Sequence, residues 1–243
     1  MTKLTLLLEG KIELAAGTMA FRFGIDGHPF AFKPGQFIRI TLLDPLYKDK
    51  KGNARDFSIA SSPGDPSLMI ATRMTGSAFK RSIADLPLGS SVRLDGPYGD
   101  FFLDADPMRP AVFLAGGIGI TPFRSMIKHS IEQDSPQRLT LVYSNRTPGD
   151  AVFLDELQNW EKENSNFHLI ATMTQPENPA KTWTGRSGYI DVQFVKDHLR
   201  EQMQSVYYVA GPPRFVSAVA EVLAKAGVNQ GDIQTDEFYG YEA

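Results

Sequence analysis

The sequence has no cysteine, only two tryptophans and only four histidines in 243 residues. Without cysteine there are no disulfides, thiolate zinc sites, cysteine-bound iron–sulfur clusters or cysteine nucleophile. The histidines, His28, His129, His168 and His198, lie on separate stretches, and none forms a metal-binding pattern such as H-E-x-x-H. No metal site is expected. A surplus of one charge is also missing: 25 basic against 28 acidic residues give a net charge of −3. With no basic run, a nucleic-acid partner is not expected. Long apolar runs are absent as well. The N-terminal MTKLTLLLEGKIEL has an apolar core of only about five residues, too short for a secretion signal. Nothing approaches the ~20 apolar residues of a membrane span. The expectation is a soluble, cytoplasmic chain.

What is present is enough apolar material for one sizeable core or two smaller ones, with 42% hydrophobic and 22% charged residues. Up to about residue 104 the pattern is that of β structure. KLTLLLEGKIEL, TMAFRFGI, QFIRITLL, DFSIASS, SLMIATRM and SSVRLDGP are six short runs separated by Gly, Pro and Asp clusters, as in a small antiparallel barrel or sandwich. One helical run, Ser77 to Leu86, interrupts them. The stretch DADPMRP, residues 104–110, breaks both patterns and divides residues 1–104 from 105–243. Beyond it AVFLAGG is continuously apolar, like a strand buried on both faces. RLTLVYSN, NFHLIATMT, SVYYVAG and GDIQTDEF follow, alternating with helical stretches such as ITPFRSMIKHSIEQ. Five strands with interleaved helices imply a parallel, doubly wound sheet. In such sheets ligands sit beyond the C-terminal strand ends.

Two loops lie at that edge. In AGGIGITPF, Gly116, Gly117 and Gly119 permit a tight turn and close approach of a ligand, with Thr121 as helix cap and Pro122 as first helical residue. Such a helix start favours a diphosphate, although the spacing is not G-x-G-x-x-G and a plain capped turn explains it equally well. In AGPPRF, Gly211, Pro212 and Pro213 again lead a strand into a helix. A third stretch, RDFSIASSP from Arg55 to Pro63, sets a cation, an aromatic ring and hydroxyls side by side. A strand as such needs neither the arginine nor the serine.

Arg55-Asp56-Phe57-Ser58 is similar to an Arg-x-Tyr-Ser motif, Gly116–Pro122 to Gly-Gly-x-Gly-x-Thr-Pro, Gly211–Pro213 to a Gly-Pro-Pro loop, and Asp236-Glu237-Phe238 to an acidic–aromatic tail. With these four motifs in order, the whole chain resembles the ferredoxin–NADP reductase superfamily. The resemblance implies a six-stranded antiparallel Greek-key barrel for FAD over residues 1–104. It implies a Rossmann-like, five-stranded parallel sheet for NAD(P) over residues 105–243. It assigns Arg55 to the FAD diphosphate, Phe57 to the flavin ring and Ser58 to a hydrogen bond near flavin N5, with Asp56 between them. In a strand Arg55 and Phe57 share a face, whereas Ser58 reaches the same ligand only if the strand twists or ends there. Gly76, Ser77 and Ala78 form a second diphosphate loop, and Arg73 either adds charge or is a solvated strand residue. Gly117, Thr121, Pro122, Gly211 and Pro212 cradle the pyridine nucleotide. Ser144 and Arg146 suit a 2′-phosphate, which leans towards NADPH over NADH. Glu237 assists proton transfer, and Phe238 covers the flavin, with Tyr241 a weaker candidate. The active-site cysteine frequent in the family is absent.

The implied activity is hydride transfer from NAD(P)H to FAD, then electron transfer to a separate acceptor. That acceptor is a ferredoxin, a flavodoxin, an oxygenase component, a small quinone or free flavin, and the expected reductase is a monomer without a fused iron–sulfur domain. Two alternatives stay open: a FAD-holding subunit with little activity of its own, and a two-domain binding protein without flavin. Phe57 stands where the family has tyrosine, so one hydroxyl hydrogen bond to the cofactor is lost. Phe57→Tyr is expected to tighten FAD by about 0.5–1.5 kcal/mol. Fluorescence titration with FAD measures this, and an unchanged affinity removes the reading.

Overall fold

The computed structural model describes residues 2–25, 27, 30–176 and 183–240; His28 and Tyr241 fall outside them. The first half consists of β1 (Thr2–Ala15), β2 (Thr18–Gly24), β3 (Phe37–Leu42), β4 (Ala54–Ser58), β5 (Ser67–Arg73), α1 (Ala78–Asp85) and β6 (Ser91–Tyr98). Alternation sets their faces: Leu6 and Leu8 of β1 are buried while Leu7 between them is exposed. The strands form one antiparallel sheet in the Greek-key order β4-β3-β6-β1-β2-β5. β1 serves two neighbours, pairing with β6 over Thr2–Leu7 and with β2 over Leu8–Ala15. A register irregularity between Leu8 and Gly10 marks the switch, where the sheet curls. Beyond β4 the chain changes partner, and the Ala60 N–H donates to the Met69 carbonyl at 2.8 Å, which closes the sheet onto β5.

The second half consists of β7 (Ala111–Gly116), α2 (Ile120–Glu132), β8 (Leu139–Asn145), α3 (Leu154–Glu163), β9 (Phe167–Met173), β10 (Arg186–Ser187), α4 (Val192–His198), β11 (Val206–Gly211), α5 (Pro213–Lys225) and β12 (Ile233–Glu237). Its strands are parallel, in the order β10-β9-β8-β7-β11-β12. The sheet therefore has six strands, not the five expected. The extra one, β10, is two residues long and carries no periodicity that a sequence can display. Tertiary contacts define it: pairing with Thr172 and Met173, and the Arg186 guanidinium packed 4.3 Å from the Phe194 ring centroid. Chain order reverses between β7 and β11, which opens a crevice at their C-terminal ends.

The loop after β7 also departs from expectation. Thr121 is not a helix cap. Gly117 takes a left-handed φ of +54° and starts a 3-10 turn over Gly117–Gly119, so the helix begins at Ile120. Thr121 lies inside the first turn and its hydroxyl donates to the Ile118 carbonyl at 3.2 Å. Gly119 answers a different demand: a Cβ there would overlap the Ala210 carbonyl of β11.

One apolar core crosses the seam between the sheets. Ala60, Met69, Ala71 and Phe101 of the first half share it with Phe113, Phe123 and Tyr208 of the second. Phe101 packs 5.8 Å from Phe123 and edge-on to Tyr208 at 5.7 Å. The barrel has its own core around Phe21, Phe23, Ile38 and Ile40, and the far face of the parallel sheet has another.

Arg124 of α2 locks the seam. It is 6% exposed. Its Nη1 donates to the Ala60 carbonyl at 2.6 Å, and its Nε and Nη2 form a two-point pair with Glu156 of α3, each at 2.7 Å. Beside it the Ser125 hydroxyl donates to the Ser61 carbonyl at 2.6 Å, and Lys128 pairs with Asp65. The ASSP stretch, Ala60–Pro63, is thus the docking strip for α2. Arg124→Met is expected to destabilise the fold by about 2–4 kcal/mol, because Ala60 and Glu156 lose a buried charged partner. Breaking the solvent-exposed Arg39–Asp56 pair with Arg39→Ala should cost under about 1 kcal/mol. Denaturant unfolding checks both, and equal losses would overturn the ranking.

Candidate functional site

Two clefts adjoin at the seam. The first, of about 440 Å³, is walled by Phe37, Arg55, Phe57, Ser58 and Ala71 of the barrel half, by Thr75, Ser77 and Lys80 around the start of α1, and by Thr121 and Asp236–Gly240 of the second half. Within β4, Arg55 and Phe57 lie opposite Ile40 and Ile38, so both point inward. β4 ends at Ser58, and this brings the serine to the cleft as well. Asp56 borders the cleft, but its carboxylate turns to the outer face, where Arg39 holds it at 2.7 and 2.8 Å. Phe57 is at once a core residue, 5.8 Å from Phe79, and part of the cleft wall.

The electrostatics are unbalanced. Arg55 Nη1 donates to the carbonyls of Lys51, Gly52 and Ala54 at 2.6–3.1 Å. Its buried Nη2 makes no hydrogen bond and stands 3.9 Å from Asp49. An orphaned buried guanidinium nitrogen beside an aromatic wall fits a planar ligand that carries phosphate. Lys80 is buried on α1, and its pKa is lowered to about 8 by burial and by Arg55 and Arg73. Asp236 is its acidic counterpart: burial pushes its carboxyl up to about 6. Asp236 faces inward on β12, whereas Glu237 is exposed and accepts a hydrogen bond from Tyr239. The tail is anchored, since the Phe238 N–H donates to the Gly211 carbonyl at 2.8 Å.

The second cleft, of about 470 Å³, lies at the strand ends around the switch point. Gly116–Ile118, Ser144–Arg146, Tyr189, Pro212–Phe215 and Arg73 line it. Arg73 thus faces this cleft rather than the first, 3.5 Å from Asp150 across the seam. Gly211, at φ +154°, turns the chain into the loop whose Pro212 forms the wall. Pro122 is buried within α2 and lines neither cleft, and Gly76 and Ala78 are not among the walls. Sequence reasoning missed Lys80, Asp236, Tyr239 and Arg214. Strand alternation at 235–237 was an available sign for Asp236; a buried lysine has none. Among the described residues, no three His, Cys, Asp or Glu residues cluster as metal ligands, and no helix is long and apolar enough to cross a membrane.

Known proteins resemble the chain in sequence and in fold. Residues 113–221 match the family model of the oxidoreductase NAD-binding domain. The chain is 29% identical over 222 residues to ferredoxin–NADP reductase B of Sorangium cellulosum, covering 88% of each. It is 27% identical to the glycine betaine monooxygenase reductase subunit of Chromohalobacter salexigens, covering 86% of this chain and 56% of that one. The flavohem-like FAD/NAD binding domain of a nitric oxide dioxygenase from Vibrio cholerae superposes with a TM-score of 0.82 at 20% identity, covering 96% of this chain and 98% of that one. The chain is similar to members of the ferredoxin–NADP reductase superfamily in sequence and shares their fold. It spans between about half and two thirds of the first two curated relatives, 56% and 65% of their lengths.

Asp236 generates a pH prediction. Its folded pKa of about 6 lies above the ordinary 3.8, so the group favours folding below pH 3.8 and that contribution is lost as the pH rises through 6. Asp236→Asn cannot ionise. The variant should match wild type near pH 4 and exceed it at pH 8 by on the order of 1 kcal/mol. Thermal melts at the two pH values test this, and a difference independent of pH would mean the carboxyl is solvated.

Proposed function

We propose that the chain holds FAD in the first cleft, receives a hydride from a pyridine nucleotide in the second, and passes electrons to a separate acceptor. One observation carries this reading: the clefts share walls. The Gly117–Thr121 loop lines the second with its Gly117 end and the first with Thr121, and β5 lines them with Arg73 and Ala71 respectively. Two planar rings bound on either side of that loop can meet without domain movement, and close orientation of reacting groups is a large part of such catalysis.

Bound FAD would supply an acceptor for hydride and a donor for one-electron partners; the protein positions it. Arg55 offers its free Nη2 to the diphosphate. Phe57 presents a ring face, and Ser58 a hydroxyl at the end of β4. Phe238 is suited to cover the opposite ring face, with Asp236 and Glu237 as carboxyls beside it. Asp236, half-protonated at about pH 6, is the better proton holder of the two. On the nucleotide side Ser144 lies near the end of β8 and Arg146 directly follows it, and Asp150 is engaged by Thr147 and Arg73. With that carboxylate turned to internal partners, a 2′-phosphate is favoured over a free ribose hydroxyl, hence NADPH over NADH.

This reading takes the protein as a cytoplasmic monomer serving a ferredoxin, flavodoxin or oxygenase component. The name of the Chromohalobacter relative, a monooxygenase reductase subunit, favours the oxygenase component and also supports a second reading, an electron-transfer subunit of a larger complex. The expected result is a purified protein with a flavin visible spectrum that bleaches anaerobically at lower NADPH than NADH. Arg55→Ala should lose the flavin. A protein colourless even with added FAD, or full retention by the variant, would sink the proposal. A bleaching flavin that passes almost no electrons to artificial acceptors would favour the subunit reading.

A further inference from the structure

We infer that the Lys80 ammonium is a direct ligand of the diphosphate of the dinucleotide in the first cleft, an inference that rests on the flavin reading above. The loop before α1 was expected to supply that contact through backbone N–H groups. In the folded chain those donors are largely engaged. The Ser77 N–H bonds the Thr75 carbonyl at 2.8 Å, and the Ala78 N–H bonds Asp49 Oδ2 at 3.2 Å. The Lys80 N–H is turned to the Ser77 hydroxyl oxygen at 3.4 Å.

Lys80 is the third residue of α1 and faces inward with Phe79, Ser82 and Ile83. It is only 8% exposed, a burial rare for lysine because desolvating an ammonium is costly. Its Nζ donates to the Arg73 carbonyl at 2.7 Å. Arg55 and Arg73 are near enough for their like charge to lower its pKa. Arg55 brings the buried Nη2 that makes no hydrogen bond. Converging cations repel one another in a site shielded from water, and a doubly charged diphosphate reverses the sign of that energy. The two side chains divide the work: Arg55 gives a planar fork and Lys80 a compact point charge.

The contact is linked to protons. Among the described residues, the charged groups facing this part of the molecule are Arg55 and Asp56 of β4, Arg73 of β5, Asp49 and Lys51 of the β3–β4 loop, Asp150 against Arg73, and Asp236 and Glu237 from β12. Lys80 changes charge near pH 8, since burial first and then the two arginines lower its pKa. Below that pH it is cationic and dinucleotide affinity is level. Above it each binding event must draw a proton from solvent, so affinity falls.

Flavin-free protein titrated with FAD and with riboflavin, between pH 6.5 and 9.5 by fluorescence, tests the assignment. Riboflavin shares the ring and lacks the phosphates. Lys80→Met should weaken FAD at pH 7 roughly ten- to a hundred-fold, the range of a charged hydrogen bond. It should leave riboflavin unchanged and abolish the loss of FAD affinity above pH 8, while Lys80→Arg retains binding and extends it to higher pH. Equal weakening of both flavins would move Lys80 to the ring and overturn the inference, as would unaltered FAD affinity. Wild-type protein that binds neither flavin would overturn the flavin reading itself, and the inference with it.

Discussion

The guanidinium of Arg124 joins three pieces of chain that are far apart in sequence: the carbonyl of Ala60 just beyond β4, the carboxylate of Glu156 on α3, and its own helix α2. The Ser125 hydrogen bond to the Ser61 carbonyl and the Lys128–Asp65 ion pair reinforce it along α2, and the aromatic cluster of Phe101, Phe113, Phe123 and Tyr208 fills the space behind. Sliding one sheet over the other would strand a buried charge and open a packed core at once, and each is costly. The seam is therefore a fixed surface. Everything that lines the two clefts hangs from it: Ser58 lies two residues before Ala60, and Thr121 three before Arg124.

That rigidity explains how the site tolerates its charges. Lys80 and Arg55 sit near one another with like sign, Asp236 is a carboxyl held largely out of water, and Arg55 keeps a nitrogen without a hydrogen bond. The like charges and the buried carboxyl are unfavourable by themselves, and they sit within the packed frame of the surrounding strands and α1. Unfavourable local electrostatics maintained by a well-packed frame are a mark of a binding or catalytic site. Here Arg55 and Lys80 line the barrel side of the cleft, and Asp236 and Glu237 line the β12 side.

The architecture was legible to a large degree. Alternation in β1 to β6 and the apolar runs of β7, β8, β9 and β11 are strong local signals, because burial on one face or on both leaves different periods in the sequence. The two-residue β10 had none. Gly117 and Gly119 looked alike as letters but answer different needs, one a left-handed turn and the other a close approach to Ala210. Thr121 looked like a cap and became a first-turn residue, since the preceding 3-10 turn took over the start of the helix.

The sequence by itself determined which residues could bear chemistry near one ligand: strand geometry alone puts Arg55 and Phe57 on one face, and proline and glycine alone place the loops after β7 and β11 at strand ends. Only the tertiary structure decided what those residues meet. It turned Asp56 out to Arg39, gave Arg73 to the second cleft, buried Lys80 and drew Asp236 to the seam. The reason is physical. Backbone propensity and periodicity act over a few neighbours, whereas burial, charge pairing and the pKa of a side chain depend on elements brought together from across the whole chain.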